Sequence, residues 1–391
     1  MTRLAGSSKL LRAMNESAAL GHLLDPGMLT RTDLRKLTAL STPTISEVLR
    51  RLTEAGLVHV VGHASGRPGP NAEIYNANPD AAYAAAISVR DIGTSGTPSI
   101  AAALGDLTGA VRARFESRTD FLTTDPATAV ADVFAELHER AGVPADRIRH
   151  VQLSVPGSYD PKTETIRLVD VPGFGRPGLI PGIAAALGTE IGVDNDVNLA
   201  AAAERNRGAA GDAENFALLW LGQDGLGLAI DINGTLLRGT RGSAGEIGYM
   251  PLYAPDSTHR KVDLQDLFGG GAIKELAQDH GIAGGTPADI VAAAVAGENT
   301  PFLATLADRI VVALAAVVAV LDPYLVVLAG PTAQAGGDAL LTAVNTAFQH
   351  AAPLECTFAM TSIDDDAVLL GALDAGLAAV REALITAIRD S

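Results

Sequence analysis

Residues Asp194-Asn195-Asp196-Val197-Asn198 run directly into Leu199-Ala-Ala-Ala-Ala-Glu204. Carboxylates and amides are thereby set at a strand end and a helix start, where they project into a cleft and can bind a small ligand. Asp196 also has a plainer use as the N-cap of the helix that follows, and one residue can serve both purposes. Farther along come Trp220 to Ile230, then Asn233-Gly234, then the glycine-rich run Arg238 to Gly248 that contains Glu246. Taken alone, a Gly-flanked Glu246 fits a solvent-exposed turn as well as a binding role.

Generic nucleotide motifs do not account for these residues. No Gly-x-x-x-x-Gly-Lys-Ser/Thr occurs, so there is no P-loop. Gly173-Phe-Gly175-Arg-Pro-Gly178 matches a dinucleotide fingerprint by letter, but Pro172 and Pro177 stand where a strand-to-helix turn is required, and it reads as a loop. Asp364-Asp365-Asp366 reads as a solvated loop before an apolar helix.

The elements that must position the cleft residues alternate from Ala84 onward. Strands are expected at 84–89, 100–104, 111–116 and 150–155, with a helix over 127–141. A second series begins near Ile191, with strands at 216–221, 226–232 and 324–329. Such alternation predicts an α/β fold of helix-covered sheets, and two series predict two lobes with a cleft between them.

The first eighty residues differ. Leu10, Leu11, Met14, Ala18 and Leu24 form a helical stripe that ends at Asp25-Pro26-Gly27. A short helix starts at Thr30, with Asp33 completing an acidic capping box and Leu34 and Leu37 on its buried side. Thr42 is read as the N-cap of a third helix and Pro43 as its first residue. Ile45, Val48, Leu49 and Leu52 keep helical spacing up to Gly56. Leu57 to Val61 and Glu73 to Tyr75 return as strands around the tip Gly66-Arg67-Pro68-Gly69-Pro70. This order predicts a winged helix-turn-helix. Thr42, Pro43, Thr44 and Ser46 would face base edges, Arg50 and Arg51 would reach phosphates, and Arg67 would enter a narrow minor groove.

Charge divides at the same place. A net charge of -16 over 391 residues argues against nucleic acid. Residues 1–80, however, carry nine Lys and Arg against seven Asp and Glu, a net of +2, and the other 311 residues carry -18. The weakly basic end is therefore the expected reader of a polyanion. Cys356 is the sole cysteine, which rules out a disulfide framework within the chain. The amino end lacks a signal-peptide core. The longest apolar run, Ile310 to Leu321, falls short of the ~20 residues needed to span a bilayer and reads as a buried helix. A cytoplasmic protein away from membranes is expected.

Asp194-Asn-Asp-x-Asn-x-Ala-Ala201 and Leu236-x-Arg-Gly-x-x-Gly-x-Ala-Gly-Glu-Ile-Gly248 resemble the most distinctive segments of the ROK family (repressors, open reading frames and sugar kinases). Asp91-Ile92-Gly93-Thr94 looks like its first phosphate loop, and Leu321 to Gly330 and Leu370-Gly371-Ala372 resemble its closing segments. The resemblance covers residues 84 to about 380. It implies an actin-like, two-lobed sugar-kinase domain over 81–391 behind a winged helix over 1–80, in a homodimer or homotetramer. On that resemblance Asp196 matches the catalytic base, and Asn195 and Glu246 match contacts to sugar hydroxyls.

Departures from the family pattern point away from catalysis. Tyr249 replaces a histidine, and Pro251 to Leu267 holds no cysteine, so the family's zinc site is lost, His259 alone being unable to hold the metal. Gln223-Asp224-Gly225-Leu226-Gly227 places a carboxylate in the second phosphate loop, a repulsion of ~1–4 kcal/mol at ~4 Å. The first loop continues as Ser95-Gly96-Thr97-Pro98, without the polar or basic residue expected there. The leading expectation is a repressor that binds operator DNA and a sugar or sugar-phosphate effector, with no cofactor and no metal. The alternatives are an active ATP-dependent sugar kinase with an added DNA-binding domain, and a DNA-binding dimer with a vestigial pocket. The last is motivated by the lack of Trp and Asn in Val169 to Gly182.

Overall fold

The computed structural model describes residues 8–24, 28–64, 72–90, 98–223, 225–252, 262–364 and 366–390. Its first unit runs α1 (Ser8–Leu24), β1 (Leu29–Thr30), α2 (Arg31–Thr38), α3 (Thr42–Glu54), β2 (Val58–Ala64) and β3 (Ala72–Ala77). The strands pair antiparallel in the order β1-β3-β2, which is a winged helix-turn-helix. Thr30 and Asp33 form the expected capping box, with the Thr30 amide donating to Asp33 at 3.1 Å.

Three local readings change. The N-cap of α3 is Ser41, whose hydroxyl accepts from the Thr44 amide at 3.4 Å, and Thr42 is the first helical residue. Adjacent hydroxyl residues ahead of a proline are both competent caps, so spacing alone could not separate them. On α1, Leu11 and Met14 are exposed, and the buried face is Ala13, Glu16, Ala19, Leu20 and Leu23. A larger apolar stripe yields here because α3 offers Arg51 as a partner for Glu16. Leu37 of α2 is exposed too, leaving Leu34 alone on its buried side. Arg67 and the rest of the wing tip lie outside the described residues, as does Asp25-Pro26-Gly27.

The remainder contains, in order, β4 (Tyr83–Arg90), β5 (Ser99–Asp106), β6 (Val111–Arg118), α4 (Pro126–Ala141), β7 (Ile148–Val155), β8 (Ser158–Asp160), β9 (Thr165–Arg167), α5 (Leu179–Leu187), β10 (Glu190–Asn195) and α6 (Asp196–Arg207). There follow β11 (Asn215–Leu221), β12 (Leu226–Ile232), β13 (Thr235–Leu236), α7 (Gln265–Phe268), α8 (Gly270–Asp279), α9 (Pro287–Ala296), α10 (Thr300–Leu321), β14 (Leu325–Ala329), α11 (Pro331–Ala351), β15 (Thr357–Met360) and α12 (Ala367–Asp390).

Two five-stranded sheets share one topology. The first runs β10-β7-β4-β5-β6 and the second β13-β12-β11-β14-β15, each a meander extended by two parallel strands. Helices α4 and α5 cover the outer face of the first sheet, through Val130, Phe134 and Ile183. Helices α8 to α11 cover the outer face of the second. Between the sheets lie α6 and α12. Ala200, Ala201 and Ala203 of α6 face the second sheet, while Leu199 of α6 and Leu369, Leu373 and Leu377 of α12 face the alanine-rich strands of the first. Small residues are required at this crossing, since a Cβ on Gly371 would lie 1.7 Å from the Leu199 carbonyl oxygen. This is the actin-like, two-lobed α/β fold.

The apolar run at 310–321 belongs to a longer helix than expected. α10 has 22 residues, with a mean hydropathy of 2.2 over its most apolar window, so by length and composition it could cross a membrane; half of that window is buried in the lobe. The reading of Asp364 to Asp366 as a solvated loop also changes. Asp366 pairs with Arg90 and accepts from the Leu369 amide at 3.1 Å, capping α12.

Candidate ligand site and nucleic-acid interface

In parallel α/β sheets ligands bind beyond the carboxyl ends of the strands. Asn195 ends β10 there, and its side chain caps α6 by accepting from the amides of Val197 (2.8 Å) and Asn198 (3.2 Å). Asn195, not Asp196, is thus the N-cap, and Asp196 opens the helix. The Asn195 amide nitrogen also donates to the Gly157 carbonyl at 3.3 Å, past the end of β7. Beside it, the buried Ser158 hydroxyl donates to Glu246.

The turn Pro156-Gly157-Ser158 therefore ties Asn195 to Glu246, and sequence reasoning passed over it. Its signal was a Pro-Gly pair directly after a strand. Gly157 has to be glycine, because a Cβ there would lie 2.8 Å from the Arg167 carbonyl oxygen.

Buried Asp194 braces the strand end. One oxygen accepts from the Asn195 amide (2.9 Å) and the Asn198 side chain (3.0 Å); the other accepts from Nε (2.9 Å) and Nη2 (2.7 Å) of Arg238. Arg238 opens the glycine-rich loop that ends at Glu246. Gly239, Gly242 and Gly245 in it have positive φ, and a Cβ on Gly245 would meet the Leu228 carbonyl oxygen at 1.9 Å. The glycines let the loop lie flat on β12 and present Glu246 to Ser158.

Asn195, Asp196 and Glu246 are thus brought to one place, all partly buried. Enclosure by protein pushes the Asp196 carboxyl up to about 7, and the nearby Glu246 carboxylate pushes the same way, against the Val197 amide that favours the anion. A carboxyl with that proton affinity can accept or hold a proton near neutral pH.

Tyr249, half exposed, closes the turn after Glu246. Burial and then Glu246, Asp170 and Asp263 raise its hydroxyl. Gln265 was also missed. Its amide packs on Gly225, in the segment that resembles the family's second phosphate loop, and on Gly248, where a Cβ would lie 1.9 Å and 3.0 Å away respectively. Gln223 in that loop has a buried side-chain oxygen with no hydrogen-bond partner among the described residues. Asp91 to Thr97, Asp224 and His259 lie outside them. An open groove of about 1050 Å³ at the amino ends of β11, β14 and β15, lined by Asp212, Glu214, Tyr324 and Cys356, shares no residue with this site.

On the winged helix, Thr42, Pro43 and Arg50 are exposed, and Thr44 and Ser46 are half-buried at the start of α3. Arg50 is clamped by Glu47 and Glu54, both at 2.5 Å. Arg51 turns inward, its Nε 2.7 Å from Glu16 of α1, which corrects its reading as an outward phosphate contact. Arg35 and Lys36 of α2 are exposed cations that the helix-by-helix reading left out.

The ROK family model matches residues 91–378. The bifunctional enzyme NanE/NanK of Brucella suis is 31% identical over 196 residues, covering 49% of this chain and 36% of that one. A xylose repressor of Caldicellulosiruptor bescii is 24% identical over 255 residues, 64% of this chain and 62% of the other. The chain thus spans less than two thirds of these relatives' own lengths. The crystal structure of a ROK family transcriptional regulator, a homologue of the E. coli MLC protein, superposes with a TM-score of 0.75 at 20% identity, covering 97% of this chain and 100% of that one. A ROK hexokinase from Thermus thermophilus gives 0.62 at 23%, covering 77% and 99%.

Proposed function

The chain belongs to the ROK family, and from that premise we propose that it is a transcriptional repressor of the cytoplasm that reads double-stranded operator DNA and binds a sugar or sugar phosphate between its lobes. The observation that carries this reading is the path of α12. Its first half packs on α6, the helix that Asn195 caps and Asp196 opens, and Arg207 of α6 holds Asp374 of α12 at 2.8 Å. Farther along, Arg381 donates to the Leu107 carbonyl at 2.9 Å. Leu384 and Ile388, near its end, pack into the winged-helix core with Leu20, Leu23 and Leu49. A ligand that moves α6 therefore bears on the seat of the DNA reader through one rigid rod. A small rotation suffices to spoil binding, because two recognition helices must match half-sites about one DNA turn apart.

Thr42, Pro43, Thr44 and Ser46 are assigned to base edges and Arg67 to the minor groove. Arg50 is assigned to phosphate after release from its glutamates. Asn195, Asp196 and Glu246 are assigned to sugar hydroxyls. The full-length likeness to a regulator, against 77% coverage by a hexokinase, supports the assignment. The test is fluorescence anisotropy with DNA from upstream of the chain's own gene at two salt concentrations, with and without a sugar panel. A salt-sensitive affinity altered by one sugar is expected; no affinity for that DNA defeats the proposal.

A second reading, an active sugar kinase, is favoured by Asp196 alone, whose proton affinity suits a general base. ATP turnover with a sugar panel, lost in Asp196→Asn, would establish it. The carboxylate that Asp224 brings to the segment resembling the second phosphate loop speaks against it.

A further inference from the structure

We propose that Glu47 of α3 reads a cytosine in the operator. The inference rests on the DNA-binding reading of the winged helix and names the base that one of its side chains selects. Ile45, Val48, Leu49 and Leu52 bury one face of α3. On the opposite face Pro43, Glu47, Arg50 and Glu54, at helical spacing, form a single exposed ridge. The hydroxyls that flank its first two turns are already engaged. Ser46 donates to the Thr42 carbonyl at 2.9 Å, and the Thr44 and Ser41 hydroxyls lie 2.8 Å apart. Pro43 has no polar side chain. Glu47, its side chain 53% exposed, is thus the polar group of longest reach on the part of α3 that enters a major groove in this reading.

Charge decides what Glu47 meets there. The ridge holds one guanidinium and two carboxylates, and Arg51, the other cation of α3, turns inward to Glu16. Phosphate repels such a ridge, so a carboxylate at its centre is favourable only against a hydrogen-bond donor on a base edge. In the major groove guanine and thymine present acceptors, adenine a donor beside an acceptor, and cytosine a donor alone. Arg50 grips Glu47 through two hydrogen bonds, of 2.9 and 2.5 Å, which hold the carboxyl below its usual range. As an anion Glu47 can only accept. When Arg50 moves to a phosphate, Glu47 exchanges an exposed ion pair, a weak interaction in water, for the cytosine amino group.

Selection of duplexes from a random pool by the full chain is the test, run with the wild type, Glu47→Ala and Glu47→Gln. The wild type is expected to fix a C·G pair at one position of its motif, preferred over the other pairs by about tenfold. Glu47→Ala should lose that preference while its affinity for random-sequence DNA rises, because a carboxylate has left the interface. Glu47→Gln should move the preference to A·T at the same position, since a glutamine amide pairs with N6 and N7 of adenine. A wild-type motif that both variants keep, or one with no fixed C·G pair, overturns this inference and leaves the DNA-binding reading standing. Enrichment of no sequence by the wild type overturns both.

Discussion

The Nε of Arg51 lies 2.7 Å from the carboxylate of Glu16, joining α3 to α1 in the winged unit. Glu16 is almost wholly buried, and that burial raises its carboxyl while Arg51 opposes the shift. Arg50, one residue earlier, points to solvent between two glutamates. Adjacent arginines thus have separate duties. Arg51→Ala is expected to leave a buried carboxylate unpaired and cost about 1–3 kcal/mol, moderated by the partial exposure of the arginine. Arg50→Ala is expected to leave the melting temperature unchanged while weakening DNA binding and flattening its salt dependence. Calorimetric melting of both variants decides the matter, and equal melting temperatures would refute the division.

Asp196 supplies a pH signature. Its carboxyl titrates near 7 when folded, against 3.8 for an unstructured aspartate. The folded state therefore holds this proton more tightly, and the stability it contributes is complete below pH ~3.8 and lost as pH rises through about 7. Asp196→Asn removes that dependence. The variant's advantage over the wild type should widen by ~1–3 kcal/mol between pH 5 and pH 8, at ~1.4 kcal/mol per pKa unit and allowing for solvent screening. Urea unfolding at the two pH values reads the difference; a constant gap would disprove it.

Glycines at two helix positions have opposite expected effects. At Gly371 a side chain has no room, since the Leu199 backbone is in the way, and Gly371→Ala should cost ~1–3 kcal/mol. At Gly182, inside α5, nothing lies within 4 Å of an added Cβ, and Gly182→Ala should gain ~0.5–1 kcal/mol. Denaturant midpoints of the pair test the packing of α12 on α6 directly.

Ser158 holds Glu246 in place. Ser158→Ala removes that donor from a buried position, and the effector dissociation constant should rise about tenfold, equivalent to ~1.4 kcal/mol. Ser158→Thr, which keeps the hydroxyl, should recover part of the loss. Calorimetric titration with the sugar that binds the wild type measures both, and an Ala variant that binds as the wild type does would remove Ser158 from the site.

Much of the site was legible in one dimension because its parts are local. Asn195 and Asp196 are adjacent, and the glycines before Glu246 follow from a loop that must take positive φ at three places. Ser158, Gly157 and Gln265 were not legible. They reach the site from 37 and 38 residues before Asn195 or 19 after Glu246, through a turn and a short helix that have no periodic signal. Arg51 was misread for a related reason, since helical spacing assigns a face by hydrophobicity and cannot see the charge of a partner on another helix.

The amino-acid order by itself determined the chief strands of both sheets, the winged helix, the family and the clustering of amide and carboxylate at a strand end. All are governed by contacts between residues a few positions apart. The tertiary structure alone decided that two sheets repeat one topology, that α6 and α12 lie sandwiched between them, and that α12 ends in the winged-helix core. Those relations join segments up to about 370 residues apart in the chain. They depend on which apolar faces close-pack with the least void and the fewest unpaired charges, and that choice is made among whole elements after each has formed.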